Sequence, residues 1–374
     1  MFRALALLVV VAALCRRADA ADPPAVPGWP MFRANPALTG TTTNALPTSL
    51  ALRWTFKTGG AIKSSPVIAD GRIFIGSDDR KVYALSLATG HCLWSHATSN
   101  SVEATPLVLG DTVFVGSTDD NLYALNAATG ALKWKYATDG KIAGAANWFR
   151  DGAALRLLVG SYDSQLHCVD AATGKSVWKF DTANYINGAP AVADGNIVFG
   201  GCDGQLHVLS LAGKELAAIE AGAYIPGSAA VAGGQAFVGQ YTGEVLCADL
   251  ARTNVVWRYK GKDAFFSSPA VTDKLVLIGG RDKSLHCLDR ATGKERWAFQ
   301  TRDELDCSPV ICADKVIFGS GDGRLYLVSL ATGKELWSYD ISKPITGSPA
   351  VADGLVVIGA EDGVVYAFGE KRSR

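Results

Sequence analysis

One position in this chain changes its chemistry eight times while its surroundings stay constant. It holds Lys63, Glu103, Ala143, Asn187, Pro226, Phe266, Asp306 and Thr346 in turn. Each follows an apolar residue: Ile62, Val102, Ile142, Ile186, Ile225, Phe265, Leu305 and Ile345. An ammonium, two carboxylates, an amide, an aromatic ring and a hydroxyl gathered in one ring could recognise a ligand or a protein surface. The same variety also suits a loop rim that meets only water, since loop positions vary freely. Lys63, Glu103, Asn187, Phe266, Asp306 and Thr346 are therefore the candidate binding ring.

Other reactive residue types lack the spacing that chemistry needs. There is no HExxH and no G-x-S-x-G. Thr173-Gly174-Lys175-Ser176 imitates the end of a phosphate-binding loop, but Val169 stands where that loop needs glycine. His167, His207 and His286 share one position with Tyr83, Tyr123, Tyr326 and Tyr366, which makes them packed aromatic substitutes rather than metal ligands. Cys168, Cys247 and Cys287 share a slot with Ala84, Ala124 and Ala367, as small buried hydrophobes would. Cys307 and Cys312 fall in one predicted strand, too far apart at ~3.3 Å per residue to bridge. No Cys/His spacing suits a metal. Free thiols with at most one or two bridges are expected, and no catalytic or metal-ligating set is assigned.

What positions the ring is a repeat. Trp54, Trp94, Trp134, Trp178, Trp257, Trp297 and Trp337 are spaced by 40, 40, 44, 79, 40 and 40 residues, so one member is missing, near Ala218. A glycine keeps the same beat from Gly76 to Gly359, an aspartate from Asp79 to Asp362 with Thr242 in one slot, and an Ala-Thr-Gly turn recurs at Gly90, Gly130, Gly174, Gly293 and Gly333. Short apolar runs between Asp-Gly and Thr-Gly turns read as four antiparallel strands per unit. Four strands at a period near forty residues predict propeller blades. The tryptophans are structural wedges between blades, because a single blade cannot cover both faces of its own sheet. The fourth blade lacks its wedge, so its outer strand is expected to be the loosest.

Counting units predicts an all-β, eight-bladed propeller of four-stranded blades over residues 51–369. The last unit, Ser348 to Phe368, has three strands. Its fourth comes from Leu52-Arg53-Trp54-Thr55-Phe56, so the N-terminal strand closes the ring and removes two open edges. Blade three carries four extra residues around Asn147-Trp148-Phe149-Arg150-Asp151. Off-beat aromatics beside an arginine resemble an interface hot spot, which makes Trp148, Phe149 and Arg150 a candidate partner contact, or else they fold back onto their own blade.

Arg3, an apolar run from Ala4 to Leu14 and Ala18-Asp19-Ala20 read as an export signal over residues 1–20. Lipid attachment at Cys15 is disfavoured, because Leu14 stands where such signals carry a small residue. Residues 21–50 form a leader and 370–374 a basic tail. The chain has 36 basic and 36 acidic side chains, and loss of residues 1–20 would leave 33 and 35. That balance offers no electrostatic footprint for nucleic acid. No segment after the signal is long and apolar enough to span a bilayer.

The unit S-P-V-x-A-D-G-x-x-x-x-G-S-x-D-x-x-x-Y-A-L-x-x-x-T-G-x-x-x-W resembles the repeat of the pyrroloquinoline-quinone (PQQ)-like propellers, and the resemblance runs from Trp54 to Phe368. Trp29-Pro30-Met31-Phe32-Arg33 and Leu38-Thr39-Gly40 resemble leaders of that family. The family includes quinoprotein dehydrogenases and non-catalytic propellers such as the outer-membrane assembly factor of the BamB type. For a dehydrogenase the resemblance implies PQQ over the channel and calcium held by Glu and Asn, types that Glu103 and Asn187 match, with Asp306 a further carboxylate. It also implies a catalytic aspartate where this chain has Pro226, and a cysteine pair and long insertions that are absent.

The reading that follows is an exported, periplasmic or extracellular propeller that binds a protein partner, as a monomer, without a cofactor and without catalysis, in cell-envelope assembly. PQQ-dependent oxidation, or small-molecule or glycan binding at the channel mouth, are the alternatives.

Overall fold

The computed structural model describes residues 28–371. The expected export signal, Cys15 and the last three residues of the tail lie outside them. The described residues form eight sheets of the predicted kind, each with a core of four antiparallel strands. In blade 1 these are Val67–Ala69, Arg72–Ser77, Lys81–Ser86 and Cys92–Ala97, numbered outward from the channel. Pairing in the innermost strand begins after Pro66, whose missing N–H cannot join the ladder.

Blade 8 is built as its sequence requires. Ala350–Ala352, Leu355–Gly359 and Val364–Gly369 are followed outward by Ala51–Lys57, with Trp54 opposite Ala367. The first and last strands of the blades proper thus share a sheet.

Each repeated residue ties one blade to the next. A Cβ on Gly76 would lie 2.4 Å from the carbonyl of Val102, so only glycine lets the following blade's apolar residue settle there. Asp79 accepts from Tyr83 Oη at 2.5 Å and from the N–H of Gly59 at 2.8 Å. His167, His207 and His286 take the tyrosine's place and bond Asp163, Asp203 and Asp282 through Nε2. The indole of Trp54 donates to the carbonyl of Leu87 at 3.0 Å and lies over Gly90, which has φ +74°.

The missing indole belongs at Ala217, not Ala218, because the register places Ala217 opposite Val208 as Trp178 lies opposite Cys168. The turn it would have covered, in blade 5, carries Thr253 at φ +53° instead of glycine. Wedge and seat are lost together.

The leader circles the channel. Gly28–Trp29 pairs with Ile68 and Ala69 of blade 1, and Thr41–Thr42 runs parallel to Ile311 and Cys312 of blade 7. Between them its carbonyls accept N–H groups from successive inner strands: Pro30 from Val108, Pro36 from Val192, Ala37 from Val231, Thr39 from Val271 and Gly40 from Ile311. The Asn147 side chain of blade 3 also donates to Pro36 at 2.7 Å. Arg33 is 1 % exposed and donates to the carbonyls of Pro309 at 2.6 Å and Pro269 at 2.7 Å. Burial lowers its guanidinium to about 9.

The seven cysteines of the described residues are free thiols. Among those residues no helix is long and apolar enough to cross a membrane.

Candidate functional site at the channel mouth

Each inner strand runs away from the ring of variable residues toward the leader. The ring therefore lies at one mouth of the channel and the leader closes the other. Between them is a cavity of about 170 Å³, reached by Phe32 of the leader and lined by Asn187, Phe266, Asp306 and Thr346. Lys63 and Glu103 stand outside that lining.

Below the ring runs a belt of hydroxyls that locks neighbouring blades. The N–H groups of Ala189, Ser228, Ser268, Ser308 and Ser348 donate to Ser228, Ser268, Ser308, Ser348 and Ser65. The bonds, 2.8–3.2 Å long, satisfy buried backbone that would otherwise be costly. The wall is thus fixed by the main chain, and the ring side chains project from a rigid frame.

Those side chains are already engaged. Lys63 Nζ lies 3.2 Å from both Glu103 and Asp78. Burial pushes the ammonium down, but the two carboxylates outweigh it and hold Lys63 above its ordinary value. Asp306 receives two bonds from Arg281, at 3.0 and 2.7 Å, and this pairing raises the guanidinium above its usual range. The Arg281 plane also covers Phe266, 3.6 Å from the ring centroid. Asn187 Nδ2 donates to Cys202 Sγ at 3.1 Å, while its buried Oδ1 has no partner among the described residues. Thr346 reaches Glu361 at 3.4 Å.

This donor set does not fit PQQ with calcium. Calcium takes ~6–8 oxygen ligands. Glu103 and Asp306, the two carboxylates for the task, each neutralise a cation from a neighbouring blade or loop. Position 226 is proline, and the cavity is below the ~300–1,000 Å³ of small-molecule sites.

Sequence reasoning did not find the aromatic arc on the same face. Tyr162 stacks on Tyr185 at 4.9 Å, and Tyr224 on Tyr241 at 4.2 Å, with Phe266 edge-on to Tyr241 at 6.1 Å. Tyr185 and Tyr241 remain 47 % and 46 % exposed. Tyr162 and Tyr241 hold one repeat position with Asp78, Thr118, Cys202, Arg281, Gly321 and Glu361, and this second variable ring was the signal available.

The off-beat segment of blade 3 is part of its sheet. Asn147–Asp151 is the innermost strand of its sheet, paired with Ala154–Gly160. The four extra residues lengthen this hairpin. Alternation along the strand turns Phe149 inward, 6 % exposed in a cluster with Leu158 and Phe199, and it shows only one edge to the cavity between blades 3 and 4. Trp148 is half-buried beside another part of the core, and Arg150 lines an inter-blade cavity.

Comparison with known proteins bears on the whole ring. A comparison with curated protein sequences gives no significant match. Similar solved structures include BamB from Moraxella catarrhalis, with 17 % identity over 87 % of this chain and 99 % of that one and a TM-score of 0.72. A quinohemoprotein alcohol dehydrogenase from Comamonas testosteroni has 16 % identity, covers 95 % and 82 %, and gives 0.75. A computationally designed protein, Ika8, has 18 % identity, covers 84 % and 98 %, and gives 0.74. At these identities the likeness shows the fold alone. The family model described as outer membrane protein assembly factor BamB matches residues 47–154, 150–216, 211–344 and 281–373. Nearly all of the described chain is matched by that model, and the chain belongs to the BamB-like family of PQQ-repeat propellers.

Proposed function

We propose that this chain is a non-catalytic, exported propeller that holds a protein partner in the cell envelope, in the assembly of outer-membrane proteins. The family description supports the setting. The observation that carries the reading is the state of the mouth. Its charged groups are spent on one another, as Lys63 with Glu103 and Arg281 with Asp306, and its cavity of about 170 Å³ is small. What remains is a rigid face bearing half-exposed tyrosines beside an arginine, the residue types that dominate protein interfaces.

Retention of an envelope protein on immobilised mature chain tests this. The wild type retains a partner, and Asp306→Arg together with Tyr241→Ala reduces retention about tenfold, as loss of ~1.4 kcal/mol would. Failure of the wild type to retain any partner overturns the proposal. So does a cofactor absorbance change with dye-linked alcohol oxidation on addition of PQQ and calcium.

A further inference from the structure

The repeat contains one turn that is a residue too short, and it faces the one hairpin that is four residues too long. Blade 4 reads Ser210-Leu211-Ala212-Gly213-Lys214 where blade 7 reads Ser329-Leu330-Ala331-Thr332-Gly333-Lys334. The Gly213 N–H therefore closes on Ser210 three residues back, whereas Gly333 closes on Ser329 four back. The tighter turn draws Leu211 out of the repeat's bonding scheme.

Five junctions supply the comparison. The indoles of Trp54, Trp94, Trp134, Trp257 and Trp297 donate to the carbonyls of Leu87, Ala127, Ala171, Arg290 and Leu330, at 2.9–3.1 Å. The N–H groups of those five acceptors each bond the carbonyl of the neighbouring inner hairpin turn, as Leu330 does with Asp314. Trp178 still lies over its glycine, Gly213. Among the described residues, however, its Nε1 meets no acceptor, and neither the N–H nor the carbonyl of Leu211 makes the repeat's bond. Trp337 also lacks a seat, because it faces the seam where no such turn exists.

A cavity of about 390 Å³ opens at this junction, on the leader side of the ring. Phe149, Trp178 and Leu211 give it an apolar lining, and Arg156 stiffens one wall through bonds to Asp151 at 3.0 Å and Asp170 at 2.6 Å. It falls in the ~300–1,000 Å³ range of binding sites, unlike the mouth.

We propose that the junction of blades 3 and 4 is a docking slot for an extended peptide segment of a partner protein. That segment places an apolar side chain between Phe149 and Leu211 and a backbone carbonyl on Trp178 Nε1. The missing groups define the occupant: at five other junctions the same indole is met by a peptide carbonyl carried on a residue packed at that spot. A lipid tail would leave the indole N–H and the Leu211 backbone unmet, and burying them unpaired is unfavourable. This deepens the partner-binding reading and rests on it.

Site-specific photo-crosslinking in cells that make the protein tests the slot. p-Benzoylphenylalanine replaces Ala212 in the full chain, or Ala331 as the control on blade 7, and the adducts are sequenced by mass spectrometry. Position 212 yields a peptide of another protein at least about tenfold over position 331. Insertion of a threonine between Ala212 and Gly213 restores the repeat's turn, raises Tm and removes that adduct. Val177→Glu, at the exposed rim of the slot, lowers it without dependence on the turn. Equal adducts at 212 and 331, adducts to lipid only, or a folded insertion variant that crosslinks as the wild type does would each overturn the slot. If the immobilised chain retains a partner and position 212 shows no peptide adduct, the slot falls and the scaffold reading stands. If no partner is retained, both fall.

Discussion

The indole N–H of Trp94 donates to the carbonyl of Ala127 at 3.0 Å, and the same ring lies over Gly130, where a Cβ would come within 2.6 Å of it. One side chain thus fastens blade 1 to the turn of blade 2 by a hydrogen bond and by shape at once. Trp94→Ala removes both and leaves a void, so it lowers stability by ~3–5 kcal/mol. Gly130→Ala is also strongly destabilising, because the methyl group meets the ring at a φ of +71° that alanine disfavours. Urea unfolding monitored by circular dichroism measures both.

Ala217 and Thr253 form a natural double deletion of that same fastening. Ala217→Trp alone is destabilising, since Thr253 occupies the ring's seat, and Thr253→Gly alone is modestly stabilising, since it relieves a β-branched residue at φ +53°. The double variant is more stable than the sum of the two by at least ~1 kcal/mol, as residues in direct contact couple. A double-mutant cycle from urea midpoints reads the coupling, and strict additivity would show that the seat is not where the register places it.

Two histidines at one repeat position should respond oppositely to pH. Burial depresses both. At His167 it prevails over Asp163, and the imidazole is held below its ordinary value. At His286 it is outweighed by Asp282 and Glu295, which take both ring nitrogens, and the value is raised. A raised group contributes stability that is complete below the unfolded value of ~6.5 and lost as pH rises through the folded value. A lowered group contributes above ~6.5 and loses it as pH falls through the folded value. His286→Gln therefore costs more at about pH 5.5 than at about pH 8, and His167→Gln costs more at about pH 8. Unfolding of each variant at the two pH values checks the reversal.

Thiol chemistry separates the cysteines by place. Cys92 is exposed on an outer strand, Cys202 is half-buried, and Cys168, Cys247, Cys287, Cys307 and Cys312 are buried. Burial also pushes Cys168, Cys247, Cys287 and Cys307 up to about 12. In native protein a thiol reagent labels Cys92 first and Cys202 slowly, and the other five react only on unfolding. Labelling at any of the five in the native state would mean that the blades open locally.

Blade number, strand count and ring closure were legible because period and spacing are read along the chain. The glycine, aspartate and tryptophan beats were legible as beats, but their partners were not. Gly76 answers to Val102 of the next blade, and Asp79 to Gly59 in the loop before its own blade. The ring from Lys63 to Thr346 was found by its variability, yet nothing in its spacing gives the pairing of Asp306 with Arg281, which arises where two loops converge. The two readings of Phe149 could not be separated along the chain, because an insertion has no register until strand pairing sets which side chains turn inward. Arg33 could not have been found: a lone arginine in a leader carries no sign that two proline carbonyls await it.

The circling leader imposes an order on assembly. Residues 28–42 emerge before every blade they touch, and their pairing reaches from Ile68 to Ala313. The segment must stay undocked until most of the polypeptide has been made, and the strand at Ala51–Lys57 must wait for Val364–Gly369. Segments made before the blades they bind are thus the last to find their places, so a half-made molecule exposes an unclosed seam and an unlined bore. Any factor that shields such intermediates would be needed until Val364–Gly369 arrives.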